Sequence, residues 1–203
     1  MRISLILSEE NKTLERDLSA LMDVRAFYMK FYPGHGETHK ERERMFRELS
    51  EIKDEVEKGD LILYARSYGV FSPHGWKLLH RFFSKPVLIA TEEIVKQVSG
   101  KSIFLVSPYN QYRHDYEVKW LRGFNTRVVG SVALGRTGGE AISSTPPHLV
   151  EGAVKIGHEN PEAEMIYVAC TILSTLPYLH RLKGEKPVIT ASSVLVEGAK
   201  WNG

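Results

Sequence analysis

The sequence predicts an α/β protein built from two similar halves, and three observations carry that expectation. Ile3 to Asn11 reads ISLILSEEN and Ser102 to Asn110 reads SIFLVSPYN, while Lys85 onward reads KPVLIATEEIV and Lys186 onward reads KPVITASSVLV. Between these anchors, DLILYARSYG (Asp60 to Gly69) matches EMIYVACTILS (Glu164 to Ser174). The matched segments stand about 100 residues apart and occur only twice, which means duplicated α/β units and not a solenoid, whose repeats run to roughly 20–50 residues. Throughout, short apolar runs alternate with helical stretches, the pattern of a parallel sheet covered by helices.

Taken in order, Ile3 to Leu7 reads as a buried strand, and Asn11 or Thr13 can cap the helix that follows. Asp23 to Phe31 has strand composition. From Thr38, Met45, Leu49, Ile52 and Val56 recur at helical spacing until Gly59 stops them. Leu61 to Tyr64 is a strand, and Ser72-Pro73 opens a helix carrying Trp76, Leu79 and Phe83; proline suits a first turn because its missing amide proton would have had no partner there. Pro86 to Ile89 is a strand, and Thr91 is expected to cap a helix ending at Gly100. The second half repeats the order: strand 103–106, helix 110–122, strand 126–132, helix 147–158, strand 165–169, helix 175–183, strand 187–190 and a short last helix. Pro177 falls near the start of its helix, where it is tolerated. The segment GRTGGEAISSTPP, with Gly135, Gly138 and Gly139, reads as a loop: an ordinary connector, or a cover for a cleft.

Composition narrows the function classes. The 203 residues are 42% hydrophobic and 26% charged, with a net charge of +2, as in an ordinary globular protein with a real core. Basic residues are spread and usually lie near acids, as in HKERERMFRELSEIKDEVEKG, so no nucleic-acid partner is indicated. No apolar run approaches a membrane span, and MRISLILS passes too quickly into charge to be a signal peptide. One cysteine cannot form an internal disulfide, which agrees with a reducing compartment and makes the cytoplasm the expected location. No GxGxxG follows a strand and there is no GxxxxGK[ST], which disfavours a nucleotide cofactor. His35 and His39 straddle Gly36 without an obvious third ligand, so no metal is expected there. The remaining histidines are scattered and most read as surface or interface residues, with His74 alone kept as a further proton donor.

In open parallel sheets ligands bind beyond the carboxyl ends of the strands. Those loops here are Ser8 to Lys12, Arg66 to Ser72, Ser107 to Gln111 and Cys170 to Thr175. Helix amino termini favour anions and lower the pKa of a thiol, so Cys170 is expected to be an activated proton carrier beside an anion site. If the halves pack about a pseudo-twofold axis, Cys170 faces Ala65 or its neighbours. Simpler roles stand beside each candidate. A lone cysteine is usually a small buried hydrophobe, Tyr109 can pack at a strand end, and Asn11 can be a helix cap. Arg66 can be a solvated charge or a clamp on a second carboxylate, and Tyr64, Tyr68 and Phe71 can form an apolar wall.

SEENKTLE (Ser8 to Glu15), ARS (65–67), SPY (107–109), ACT (169–171) and KPVITASSVLVEGAKW (186–201) together resemble the successive signatures of the aspartate/glutamate racemase superfamily, in the branch of maleate cis-trans isomerases and arylmalonate decarboxylases. The resemblance runs in order over nearly the whole chain, although no single motif is long. It implies two Rossmann-like (flavodoxin-like) lobes with parallel sheets related by a pseudo-twofold, and a cofactor-free site in the cleft between them. Residues 1–88 with 188–203 would form the first lobe and 89–187 the second. It also implies Cys170 as the catalytic thiol, with Asn11, Ser67, Tyr109 and Thr171 binding substrate; Arg66 joins the substrate-binding candidates from its place at the cleft and not from the resemblance. Tyr109 would donate to a carboxylate and the Thr171 amide to an oxyanion. The chain departs from the pattern at Ala65, where two-base racemases and isomerases place their other cysteine, and at Arg66, where a small hydroxyl residue is usual. The last helix is also shorter than the pattern suggests.

Two function classes follow. In the first, a cofactor-independent enzyme moves one proton beside the carboxylate of a small acid, by decarboxylation or isomerisation, with Cys170 as acid or base. A racemase would need a non-cysteine second base. In the second, the chain keeps the carboxylate pocket and has lost turnover. The expected partner is a small-molecule carboxylate; a homo-oligomer is compatible with such a fold, and nothing in the pattern marks a dimer surface.

Overall fold

The computed structural model describes residues 1–32 and 38–201. The first half runs β1 (Ile3–Ser8), α1 (Lys12–Ser19), β2 (Val24–Met29), α2 (His39–Val56), β3 (Leu61–Tyr64), α3 (Pro73–Phe82), β4 (Val87–Ile89) and α4 (Ala90–Val98). The second runs β5 (Ser102–Tyr109), α5 (Gln111–Arg122), β6 (Arg127–Arg136), α6 (Gly139–Ser143), α7 (Pro147–Glu159), β7 (Met165–Val168), a 3-10 segment Leu176–Leu182, β8 (Val188–Thr190) and α8 (Ser193–Trp201). Strand order is β2-β1-β3-β4 in one four-stranded sheet and β6-β5-β7-β8 in the other. Every pairing is parallel. The duplication seen in the sequence is therefore a duplication of topology.

The chain forms two compact units, Met1–Glu93 with Leu195–Gly203, and Ile94–Val194. In the first unit, β1 and β3 are apolar almost without interruption, β3 buried throughout and β1 from Ile3 to Leu7, as central parallel strands covered on both faces must be. The edge strand β2 is half-exposed. In the second, alternate residues of β5 and β7 serve opposite faces. Phe104, Val106, Ile166 and Val168 pack with Val150, Ala153 and Val154 of α7. Ile103, Leu105, Met165, Tyr167 and Ala169 pack with Leu121, Ile94 and Val98.

Helix starts follow local chemistry. Asn11 and Asn110 cap α1 and α5 in the same way, their side chains accepting the Leu14 and Arg113 amides at 3.2 and 3.0 Å. Thr38 and Glu41 form a reciprocal capping box on α2. Three expectations are corrected. Thr91 does not cap α4, which starts at Ala90; its hydroxyl instead donates to the Val70 carbonyl. The helix expected over 175–183 is a 3-10 segment kinked at Tyr178, in keeping with the proline at its start. The segment read as a loop after Gly135 ends β6 at Arg136 and forms the short α6 before α7, so strand 126–132 is longer than expected. No helix among the described residues is long and apolar enough to cross a membrane.

Candidate functional site

The registers of the two sheets fix which loop positions correspond. Ile6 pairs with Tyr64 on β1 and β3, and Val106 with Val168 on β5 and β7. The next residue in each case closes the same hydrogen bond, Ala65 N–H to Ile6 C=O at 3.0 Å and Ala169 N–H to Val106 C=O at 2.8 Å. Ala65 is thus the counterpart of Ala169, and Arg66 that of Cys170. The expectation that singled out Ala65 is refined by one residue: the first half carries a guanidinium where the second carries its thiol.

In the second unit, Cys170 leaves β7 with φ of 83°, a left-handed conformation unusual for a residue with a Cβ. The following turn directs the Ile172 and Leu173 amides at the sulfur, and the Tyr109 hydroxyl bonds to it as well. These donors favour thiolate, yet burial outweighs them and pushes the thiol above its ordinary value. The expected lowering is thus corrected: the donors around the sulfur act in that direction, and burial outweighs them. Thr171 is half-buried, between the thiol and the two amides in sequence.

Tyr109 is placed by an irregular strand end. Pro108, which has no amide proton to give a ladder, coincides with a register shift between Ser107 and Tyr109. Tyr109 packs against the core clusters on both faces of the sheet. Its phenol is held well above the usual tyrosine value, first by burial and then by Cys170 and Glu117. The Arg113 guanidinium lies 5.5 Å from its ring centroid.

Two groups beside this site fall outside the sequence-based candidates. Glu117 of α5 is 6% exposed, its carboxyl is raised by burial, and its charge acts on Tyr109, Tyr167 and Cys170. His114, one turn earlier and 2% exposed, pairs through Nδ1 with the Ser107 hydroxyl at 2.7 Å; it corrects the expectation that these histidines are superficial. Helical spacing from the cap at Asn110 would have put both on one side of α5, the only available signal.

In the first unit the loop after β3 is tightly tied. The Tyr64 hydroxyl donates to the Tyr68 carbonyl at 2.8 Å, and the Val70 carbonyl accepts both Trp76 Nε1, at 2.6 Å, and the Thr91 hydroxyl. Tyr64 is fully buried with its hydroxyl committed, so it is core and not a pocket wall; burial pushes its pKa up to about 12. Asn11 is buried at its capping bond, and half-buried Ser67 accepts the Val70 amide on its carbonyl. Arg66 is buried, not a solvated charge; Nη2 donates to the Lys30 carbonyl at 3.1 Å, and the guanidinium lies 5.2 Å from the Tyr68 ring centroid. His74 is exposed on α3. Among the described residues no group of three His, Cys, Asp or Glu side chains could hold a metal; His35 lies outside them.

Comparison with known proteins rests on structure. No protein-family model and no curated sequence matches the chain. Maleate isomerase Iso from Pseudomonas putida S16 is similar at a TM-score of 0.77 and 17% identity, over 98% of this chain and 91% of that one. The maleate cis-trans isomerase of Nocardia farcinica, bound to TRIS, gives 0.76 and 16%, over 99% and 91%. An arylmalonate decarboxylase gives 0.75 and 13%, over 100% and 93%. The chain has the two-lobed α/β fold of these enzymes, the branch that its short motifs resemble.

Proposed function

We propose that the chain is a cofactor-independent enzyme acting on a small carboxylic acid, with Cys170 transferring a single proton next to the carboxylate. The observation that carries this reading is the surroundings of one sulfur: two backbone amides and the Tyr109 hydroxyl aimed at it, with burial keeping it protonated. A neutral thiol is the form required of a proton donor at neutral pH, and the same three donors stabilise the thiolate it leaves behind. In a decarboxylation, the carbon–carboxyl bond breaks with release of carbon dioxide, and its electron pair becomes an enediolate. The S–H proton then moves to the α-carbon, and solvent reprotonates the sulfur. Isomerisation with the same thiol is the other form of this chemistry. Substrate-binding roles for Asn11, Arg66, Ser67, Tyr109 and Thr171 belong to the same proposal.

Arg66 favours a second reading. A guanidinium keeps its proton at neutral pH, so the duplicated position supplies no second acid or base of the cysteine kind, as a racemase would require. A chain without turnover would then be a small-carboxylate binding protein. A panel of malonates, maleate, hydantoins and amino acids separates the two. Turnover of one member, reduced at least about 100-fold by Cys170→Ala, supports the enzyme. Full turnover in that variant overturns the role of Cys170, and binding without turnover leaves the second reading.

A further inference from the structure

Arg66 is buried with only part of its hydrogen-bonding capacity used among the described residues. The residue is 8% exposed, and Nε and Nη1 are shielded from solvent with no acceptor among the described residues. Tyr68, over whose ring the guanidinium lies, is 6% exposed, and its hydroxyl is equally buried without a partner among them. The acid whose charge reaches Arg66 is Glu48; it accepts the Tyr32 hydroxyl, and burial raises its carboxyl above the ordinary value. Tyr32 in turn packs on Tyr68, ring centroids 5.2 Å apart. A guanidinium withdrawn from water needs an anion on its open donors, and a phenol held without an acceptor needs the same kind of atom.

We propose that Arg66 and Tyr68 form an oxyanion-binding site within the first unit, with the Tyr68 and Tyr32 rings as its apolar side. The ligand is a small acid presenting a carboxylate, or another oxyanion of that size, to Arg66 Nε and Nη1 and the Tyr68 hydroxyl. Arg66 suits this because its planar donors hold a fixed direction, which a lysine in the same place would not give. The site rests on the substrate-binding role proposed above for Arg66 and deepens it, by naming the donor atoms that face the oxyanion and by adding Tyr68 to them.

The test is a calorimetric titration of the intact chain with malonate, acetate and inorganic phosphate, each at the same ionic strength set with chloride. The wild-type chain is expected to bind at least one of the three, and the ranking of carboxylates against phosphate identifies the preferred source. Arg66→Gln is expected to weaken that binding by about tenfold or more, and Tyr68→Phe by about threefold or more. Oxyanion binding that is absent from the wild-type chain, or equal in Arg66→Gln, overturns the site. Should Arg66→Gln fail to fold, Tyr68→Phe decides, and unchanged affinity there is contradictory. The titration needs no turnover, so it succeeds or fails separately from the assay of Cys170→Ala.

Discussion

At Cys170 opposing effects meet on one atom. Burial and the negative charge of Glu117 favour thiol, while the Tyr109 hydroxyl and the Ile172 and Leu173 amides favour thiolate. The balance leaves the pKa raised, so the sulfur holds its proton through neutral pH and loses it only in alkali. Two substitutions move that balance in opposite directions. Tyr109→Phe removes a donor to thiolate and shifts alkylation of Cys170 by iodoacetamide to higher pH. Glu117→Gln removes a neighbouring negative charge and shifts it to lower pH. Shifts in the same direction in both variants would show that these residues do not act on the thiol electrostatically. Glu117 also has a stability consequence. Its folded pKa is raised by burial, so the native state binds more protons than the unfolded chain, and stability falls as pH rises through the interval between the two values. In Glu117→Gln that slope is absent.

At the scale of elements, the loop between β3 and α3 is held by its helix as much as by its own turn. A Cβ on Gly75 would overlap the Gly69 carbonyl oxygen, so the first turn of α3 can approach the loop only with glycine there. Gly69 itself has φ of 75°, and a Cβ on it would meet Met45 Sδ. A thioether can move, whereas a backbone carbonyl in a tied loop cannot. Gly75→Ala is therefore expected to cost about 1–3 kcal/mol by overpacking. Urea unfolding measures this, and a cost below about 0.5 kcal/mol would show that the loop yields, since changes of that size are typical of unconstrained surface sites.

Across the whole molecule, strands and duplication are legible in the sequence because central parallel strands must be continuously apolar, and a repeated topology repeats those runs in order. β1, β3, β5 and β7 are all of this kind. The cap at Asn11 and the proline opening α3 are equally local and equally visible. What is not legible depends on tertiary packing. Glu117 and His114 lie on a helix of largely polar composition, QYRHDYEVKWLR, and only its docking on β5 decides which of its polar groups lose water. Position in the fold predicts a lowered Cys170 thiol, but the sign is set by how much protein surrounds the sulfur. Thr91 has the sequence context of a cap because its neighbours are helix formers; its hydroxyl is used by a loop twenty-one residues away.

The central claim is that this one sulfur moves a proton to carbon, and solvent isotope incorporation tests it most directly. With an accepted malonate or other small acid in deuterium oxide, the wild-type chain is predicted to place one deuterium at the α-carbon, and Cys170→Ala to do so at least about 100-fold more slowly. Equal incorporation by the two proteins would contradict the account.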